Sequence, residues 1–356
     1  MRLAFAGGGT GGHLFPGLAL ARHALAEEGV ESVVFFGARR GIETRLVPQL
    51  GFELIAQDLK AVRGGGPVAA LASISRLIPA LLQVRSQLIV RRIDLAVGLG
   101  GYASAAGVLG ARMAGVPVVL LEQNLEPGLA NSLLAKFSAA VCTSFAGSER
   151  FFPARRCHFT GNPLRPELEQ LPALRERDTI LVFGGSGGAH SLNRAAVTAL
   201  CSIAEGAALP AIVHQSGADQ RAEVTDAYRE AGLEAEVVDF IEDMPAVSRR
   251  ARLALCRAGA TTVAELAATS TPAILLPYPH ATGDHQLANA RALLEKGAAV
   301  VVRDDDGAVL ELERTLKRLL SDPERLDSMS RAAGALARPG AAARIMDVVY
   351  RVLADV

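Results

Sequence analysis

Twice along this chain, short apolar runs alternate with longer stretches of helical periodicity, and this repeated alternation restricts the fold to parallel sheets flanked by helices. In the first half the candidate strands fall at residues 3–6, 33–36, 53–56, 95–97, 118–121 and 139–142. The pattern then restarts at 180–183, 211–214, 237–240, 253–256, 273–276 and 299–302. Between the halves lies Thr160-Gly161-Asn162-Pro163-Leu164-Arg165-Pro166, a turn-rich segment suited to a hinge. The chain of 356 residues is long enough for two cores. The reading is an α/β chain of two Rossmann-like, doubly wound domains facing each other across a cleft, 1–161 and 162 onward. Ligands in such folds sit beyond the carboxyl ends of the strands, so the loops leaving the strands are the candidate sites.

Composition narrows the function. Half the residues are hydrophobic but only 4% are aromatic, so the cores must be built from Ala, Leu and Val. A formal net charge of zero argues against a protein that binds nucleic acid by neutralising phosphates. Cys142, Cys157, Cys201 and Cys256 form no CxxC pair and read as buried, reduced thiols. The N-terminal Met-Arg-Leu-Ala-Phe-Ala turns into glycines too early for a signal peptide. No uncharged apolar stretch reaches the ~18 residues of a spanning helix. The expectation is a soluble, cytoplasmic chain.

Two glycine loops follow strands and open helices. Gly7-Gly8-Gly9-Thr10-Gly11-Gly12-His13 precedes a helix through residue 26, and glycines there let backbone amides approach an anion at the helix start. Gly7, Gly9 and Gly12 also satisfy GxGxxG. The second strand, however, ends Phe36-Gly37-Ala38-Arg39-Arg40, without the acidic residue that holds an NAD ribose. The second loop is Gly184-Gly185-Ser186-Gly187-Gly188-Ala189. One such loop in each half suits two phosphate-bearing ligands, or one ligand approached from both sides, better than a single dinucleotide.

The most informative stretch runs from Cys256 to Glu265. Small residues at Ala258-Gly259-Ala260 leave the amides of a helix start open to a diphosphate, and Glu265, four residues beyond Thr261, can accept from both hydroxyls of a ribose. Downstream, Asp284 reads as an N-cap, and Gln286 just inside the next helix as a hydrogen-bonding partner for sugar hydroxyls. His280 and His285 lack the carboxylate–His spacing of a metal site.

The strings GGGTGGHLFPGLALA, GLGGYAS, EQN, TGNPLRPE, GGSGGAHSLN, DFIEDM, CRAGATTVAEL and DHQLANA run in this order from Gly7 to Ala290. Together they resemble the MurG family of GT-B glycosyltransferases. The resemblance implies two Rossmann-like domains, with the last helix (341–356) returning to the first domain and the donor domain spanning 162–340. It implies inverting, β-1,4-forming transfer of N-acetylglucosamine from UDP-N-acetylglucosamine to undecaprenyl-pyrophosphoryl-N-acetylmuramyl pentapeptide, without a cofactor or metal, in peptidoglycan synthesis. The implied setting is peripheral, on the anionic cytoplasmic face of the plasma membrane.

Carried over by position, the resemblance sets uracil on the backbone of Ile241 with Arg165 nearby. It sets the diphosphate on Ser186 and on Ala260, Thr261, Thr262, Val263 and Ala264, the ribose on Glu265, and the sugar on Gln286 and Asn124. Thr10, Gly11 and Gly12 lie where the first loop meets the phosphates of the substrates, and His13, Tyr102 and Asn131 on the acceptor side. Arg257 would order the site rather than bind. Two positions depart from the family: Leu121 stands where His is usual, and His285 where Gln is frequent.

Inversion requires one in-line displacement by the acceptor hydroxyl, a base for its proton and stabilisation of departing UDP. His13 is the first candidate base and Glu122 the second. Asp304-Asp305-Asp306 contains a D-x-D but reads as a charged turn supplying an N-cap. The segment 68–92 combines apolar helical spacing with Arg76, Arg85, Arg91 and Arg92, which suits docking on an anionic membrane. The rivals are a GT-B transferase with another acceptor, a UDP-sugar epimerase of the same fold, and an inactive scaffold of wall assembly.

Overall fold

The computed structural model describes residues 1–59, 67–169, 177–185, 188–279 and 284–355. They form two compact units, Met1–Arg165 with Gly340–Val356, and Pro166–Pro339.

The first unit holds a seven-stranded sheet of β1 (Arg2–Gly7), β2 (Ser32–Ala38), β3 (Glu53–Gln57), β4 (Leu95–Gly100), β5 (Val118–Glu122), β6 (Ala140–Thr143) and β7 (Cys157–Phe159), in the order β3-β2-β1-β4-β5-β6-β7. All its pairings are parallel. β1 carries alternating side chains to two cores. Leu3 and Phe5 join Phe35, Val97 and Leu99 on one face, and Ala4 and Ala6 join Val34, Phe36 and Val108 on the other. Phe5 and Phe35 stack at 5.2 Å between centroids. The final helix Ala341–Ala354 places Ile345, Met346 and Val349 in the first of these cores. Each such burial contributes about 2 kcal/mol, which explains why the chain returns to its first unit.

The second unit holds β8 (Thr179–Phe183), β9 (Ala211–Gln215), β10 (Ala235–Val238), β11 (Ala251–Cys256), β12 (Ala273–Leu275) and β13 (Ala299–Val301). They form a parallel six-stranded sheet in the order β10-β9-β8-β11-β12-β13. In both sheets the chain runs outward from the first strand on one side, then returns to that strand's other flank. The order reverses between β1 and β4 and between β8 and β11. These are the switch points at which strand-exit loops part and leave room for a ligand.

Two sequence expectations shift. The apolar run at 237–240 yields a strand at Ala235–Val238, because the Ser216 amide closes the ladder on Val238 O and the following residues turn away. The edge strand β7 was not expected: three residues after a proline turn carry too little periodicity to read. The long helix spans Pro67–Val90. Leu88, Val84 and Ala80 are buried, while Ile78, Leu82 and Ile89 are exposed.

Candidate functional site

In the first unit the switch point brings the exit of β1 beside the exit of β4. Thr10 is the cap position of the helix Gly11–Ala26, yet its hydroxyl does not cap the helix. It lies 3.0 Å from His13 Nδ1, while Thr10 O accepts the amides of His13 and Leu14. The His13 ring rests on Gly100 and Gly101. A Cβ on Gly100 would stand 2.8 Å from His13 Cδ2, and one on Gly101 would stand 3.5 Å from Nδ1. Both glycines have positive φ, +89° and +74°, so only glycine gives the imidazole this seat. The GLGGYAS string is thereby explained by the shape of a ring.

Tyr102, at the start of the helix Tyr102–Ala114, covers Gly9. Burial, and then the Glu43 carboxylate, push its phenol up, so it stays protonated. Asn131 lies on the same side of Gly100 as the imidazole, its Nδ2 3.3 Å from where a Cβ would stand, and is 3% exposed. Its Nδ2 donates to Leu121 O and Glu122 Oε2, each at 2.9 Å. Its Oδ1 has no hydrogen-bond partner among the described residues.

Glu122 is 1% exposed and ends β5. Oε1 accepts from the Asn124 amide at 2.9 Å and Asn124 Nδ2 at 3.2 Å, and Oε2 accepts from the Gly128 amide at 3.2 Å as well as from Asn131. Burial pushes the carboxyl above the usual carboxylate range, against the pull of these donors. A group so enclosed and so fully engaged is poorly suited to take a proton from a ligand. These bonds favour His13, the first candidate base, over Glu122, the second. Its oxygens shape the turn that carries Asn124 and Asn131. Arg165 packs its guanidinium over the Phe15 ring, 5.2 Å from the centroid.

In the second unit the exit of β11 lies beside that of β8. The helix Ala260–Ala268 begins there with no acidic residue in its first turn, so Ala260, Thr261, Thr262 and Val263 present its positive end. Ala264 and Glu265 follow, both half-buried. Burial, and then the nearby Glu265 carboxylate, push the Cys256 thiol up, which places Glu265 close to the strand end. Gln286 Oε1 accepts from the amides of Ala258 at 3.3 Å and Tyr278 at 2.9 Å. Ser186 lies outside the described residues.

Three findings revise the sequence reading. The Ile241 amide donates to Gln215 Oε1 at 2.9 Å, a tether the sequence did not suggest. Asp284 occupies a cap position with φ +51° and makes no side-chain cap bond. Asp304 is no surface turn residue: it forms a 2.8 Å ion pair with Arg257, at 9% and 7% side-chain exposure. Arg257 also donates to Leu276 O at 2.9 Å and Ser191 Oγ at 2.7 Å, tying four strand exits together. Asp305 accepts from the Gly307 amide, and Gly307 rather than an aspartate is the cap. Among the described residues, no group of three or more His, Cys, Asp or Glu could hold a metal ion.

Sequence reasoning missed Glu43, Gln215 and Asp304 as organising residues. Glu43 sits among arginines in a polar stretch, and only the neighbouring Gly37 and Gly41 hint at something large held inside.

Each unit matches a domain of a known family. The glycosyltransferase family 28 N-terminal domain matches residues 3–143, and the family 28 C-terminal domain matches residues 179–345. A Myxococcus xanthus protein named UDP-N-acetylglucosamine--N-acetylmuramyl-(pentapeptide) pyrophosphoryl-undecaprenol N-acetylglucosamine transferase is 41% identical, over 98% of this chain and 92% of its own length. A protein of the same name from Syntrophotalea carbinolica is 43% identical over 99% of both chains. The crystal structure of Acinetobacter baumannii MurG superposes with a TM-score of 0.77 at 30% identity, covering 98% of this chain and 99% of that one. The chain belongs to glycosyltransferase family 28, and its two parallel-sheet units have the GT-B fold.

Proposed function

We propose that the chain transfers N-acetylglucosamine from UDP-N-acetylglucosamine to undecaprenyl-pyrophosphoryl-N-acetylmuramyl pentapeptide, forming a β-1,4 link in peptidoglycan synthesis. The observation that carries the reading is near-full-length identity of 41–43% to transferases of that name. The seat of His13 on Gly100 and Gly101 supports it chemically.

The acceptor hydroxyl attacks the anomeric carbon as the bond to the diphosphate breaks, so the configuration inverts. In the tautomer whose Nδ1–H donates to Thr10 Oγ1, 3.0 Å away, His13 takes the hydroxyl proton on Nε2. Thr10, Gly11 and Gly12, at a helix start, meet the pyrophosphate of the acceptor, beside Tyr102 and Asn131. The departing diphosphate rests on Ser186 and on the helix start from Ala260 to Ala264, whose partial positive charge needs no metal. In the second unit Glu265 accepts from the ribose, Ile241 O meets uracil and Gln286 holds the sugar. Incubation with labelled UDP-N-acetylglucosamine and a short-chain lipid-pyrophosphate acceptor should give a labelled disaccharide-lipid. Label moving only to diacylglycerol, or appearing only as an epimerised UDP-sugar, would refute the reading.

Membrane contact belongs to the same proposal. Among the described residues, no helix is long and apolar enough to cross a bilayer. The helix Pro67–Val90 exposes Ile78 (55%) and Leu82 (53%), a surface suited to the interface. Its basic face is smaller than the sequence suggested. Arg91 pairs with both oxygens of Glu53 at 2.7 and 2.8 Å, and Arg76 lies 3.7 Å from Asp58. Arg85 and Arg92 remain as exposed cations next to the apolar face. At about 1 kcal/mol per basic residue, replacing both with Gln should weaken sedimentation with anionic vesicles roughly tenfold or more. Activity on a water-soluble acceptor should survive. Equal vesicle binding by variant and parent, at low and moderate salt, would remove membrane docking from this helix.

A further inference from the structure

We infer that Glu43 is an internal anion that sets the first glycine loop, and is thus a positioning residue for the acceptor side of the reaction proposed above, on which this inference rests. Glu43 opens the helix Glu43–Gln49 and is 0% exposed. Oε2 accepts from the Gly9 amide at 3.0 Å and Oε1 from the Ala38 amide at 3.0 Å. One carboxylate thereby ties the exit of β1 to the exit of β2. No ion pair to Glu43 is formed among the described residues. A buried carboxylate is costly to keep unless its oxygens are well hydrogen-bonded, so an enclosed one that grips two loop amides points to a specific task.

The surrounding glycines support this. A Cβ on Gly8 would stand 2.7 Å from Glu43 Cδ, one on Gly37 2.8 Å from Cγ, and one on Gly41 would collide with the carboxylate itself. Three glycines on separate segments leave room for one side chain. The glycine-rich string after β1 is therefore not simply a phosphate cradle: its inner side holds the protein's own oxyanion, and the Gly9 amide is already engaged. With Gly9 held at φ +84°, Thr10 and His13 follow in fixed positions, and Tyr102 closes over Gly9.

The direction of the effect separates two roles. If Glu43 only added negative charge near an anionic acceptor, neutralising it would tighten acceptor binding. If it holds the loop, neutralising it loosens the acceptor site. Glu43→Gln puts an NH2 group against a backbone donor and loses one charge-assisted bond. The acceptor kcat/KM should fall roughly tenfold or more, mainly through a raised acceptor KM. UDP-N-acetylglucosamine affinity, measured by calorimetry on the same sample, should match the parent's. Amide exchange across residues 8–14 should accelerate while the rest of the first unit keeps its protection. Gly41→Ala displaces the carboxylate from outside the loop and should reproduce the acceptor defect, which keeps the inference testable if Glu43→Gln does not fold. A folded variant with unchanged or lower acceptor KM and parental exchange at 8–14 would overturn the inference. If the parent itself fails to transfer to a lipid-pyrophosphate acceptor, the proposed function falls, and the exchange measurement alone then decides the role of Glu43.

Discussion

His13→Ala is expected to lower transfer at saturating donor and acceptor by ~100- to 10,000-fold, the range of a lost general base, with donor affinity unchanged. The imidazole is unusually well placed for this. Its ring rests on the backbone of Gly100 and Gly101, and Thr10 Oγ1 lies 3.0 Å from Nδ1. A base so positioned needs little reorganisation as the acceptor hydroxyl loses its proton. The acidic limb of the pH–rate profile, where a base is lost to protonation, should vanish in the variant. Glu122→Gln should keep that limb, because the Glu122 oxygens are engaged by Asn124, Gly128 and Asn131. If His13 only steadies the acceptor pyrophosphate, the loss appears instead as a raised acceptor KM with near-parental kcat and an unaltered pH profile. That outcome would sink the base assignment and leave His13 as a ligand at the loop.

What the chain disclosed in advance follows from range of interaction. Strand–helix alternation, a property of neighbouring residues, gave two doubly wound sheets, and the glycine loops marked the exits of β1 and β8. Runs such as 237–240 misled by two residues, because the ladder closes where the Ser216 amide meets Val238 O, a contact 22 residues away. The tethers were not legible for a related reason. Glu43 grips the amide of Gly9, 34 residues away, Gln215 that of Ile241, 26 residues away, and Arg257 reaches Ser191 across 66. No local pattern announces such bonds, since backbone amides have no sequence signature. Asp304 shows the converse. Its D-x-D context drew attention to metals and caps, whereas its carboxylate neutralises a buried arginine. The arginines at 76 and 91 looked free only because Asp58 and Glu53 were distant in sequence.

The second large effect is expected at the helix start of the second unit. Glu265 lies on the helix Ala260–Ala268, one turn beyond Thr261, half-buried and close enough to the end of β11 to act on the Cys256 thiol. From there a carboxylate can accept from both ribose hydroxyls while the amides before it face the diphosphate. Replacing it with Ala removes one charge-assisted interaction, worth ~1.5–3 kcal/mol, or roughly ten- to a hundredfold in affinity. The helix itself should persist, because Ala is the best helix former.

Calorimetric titration of UDP-N-acetylglucosamine into the parent and into Glu265→Ala tests most directly whether the second unit holds a sugar nucleotide on this helix. The parent should bind one equivalent, and the variant, with a parental unfolding temperature, should bind ten- to a hundredfold more weakly, that is by ~1.5–3 kcal/mol. Equal affinity in a folded variant would contradict the ribose assignment, and no binding by the parent would contradict the donor site as a whole.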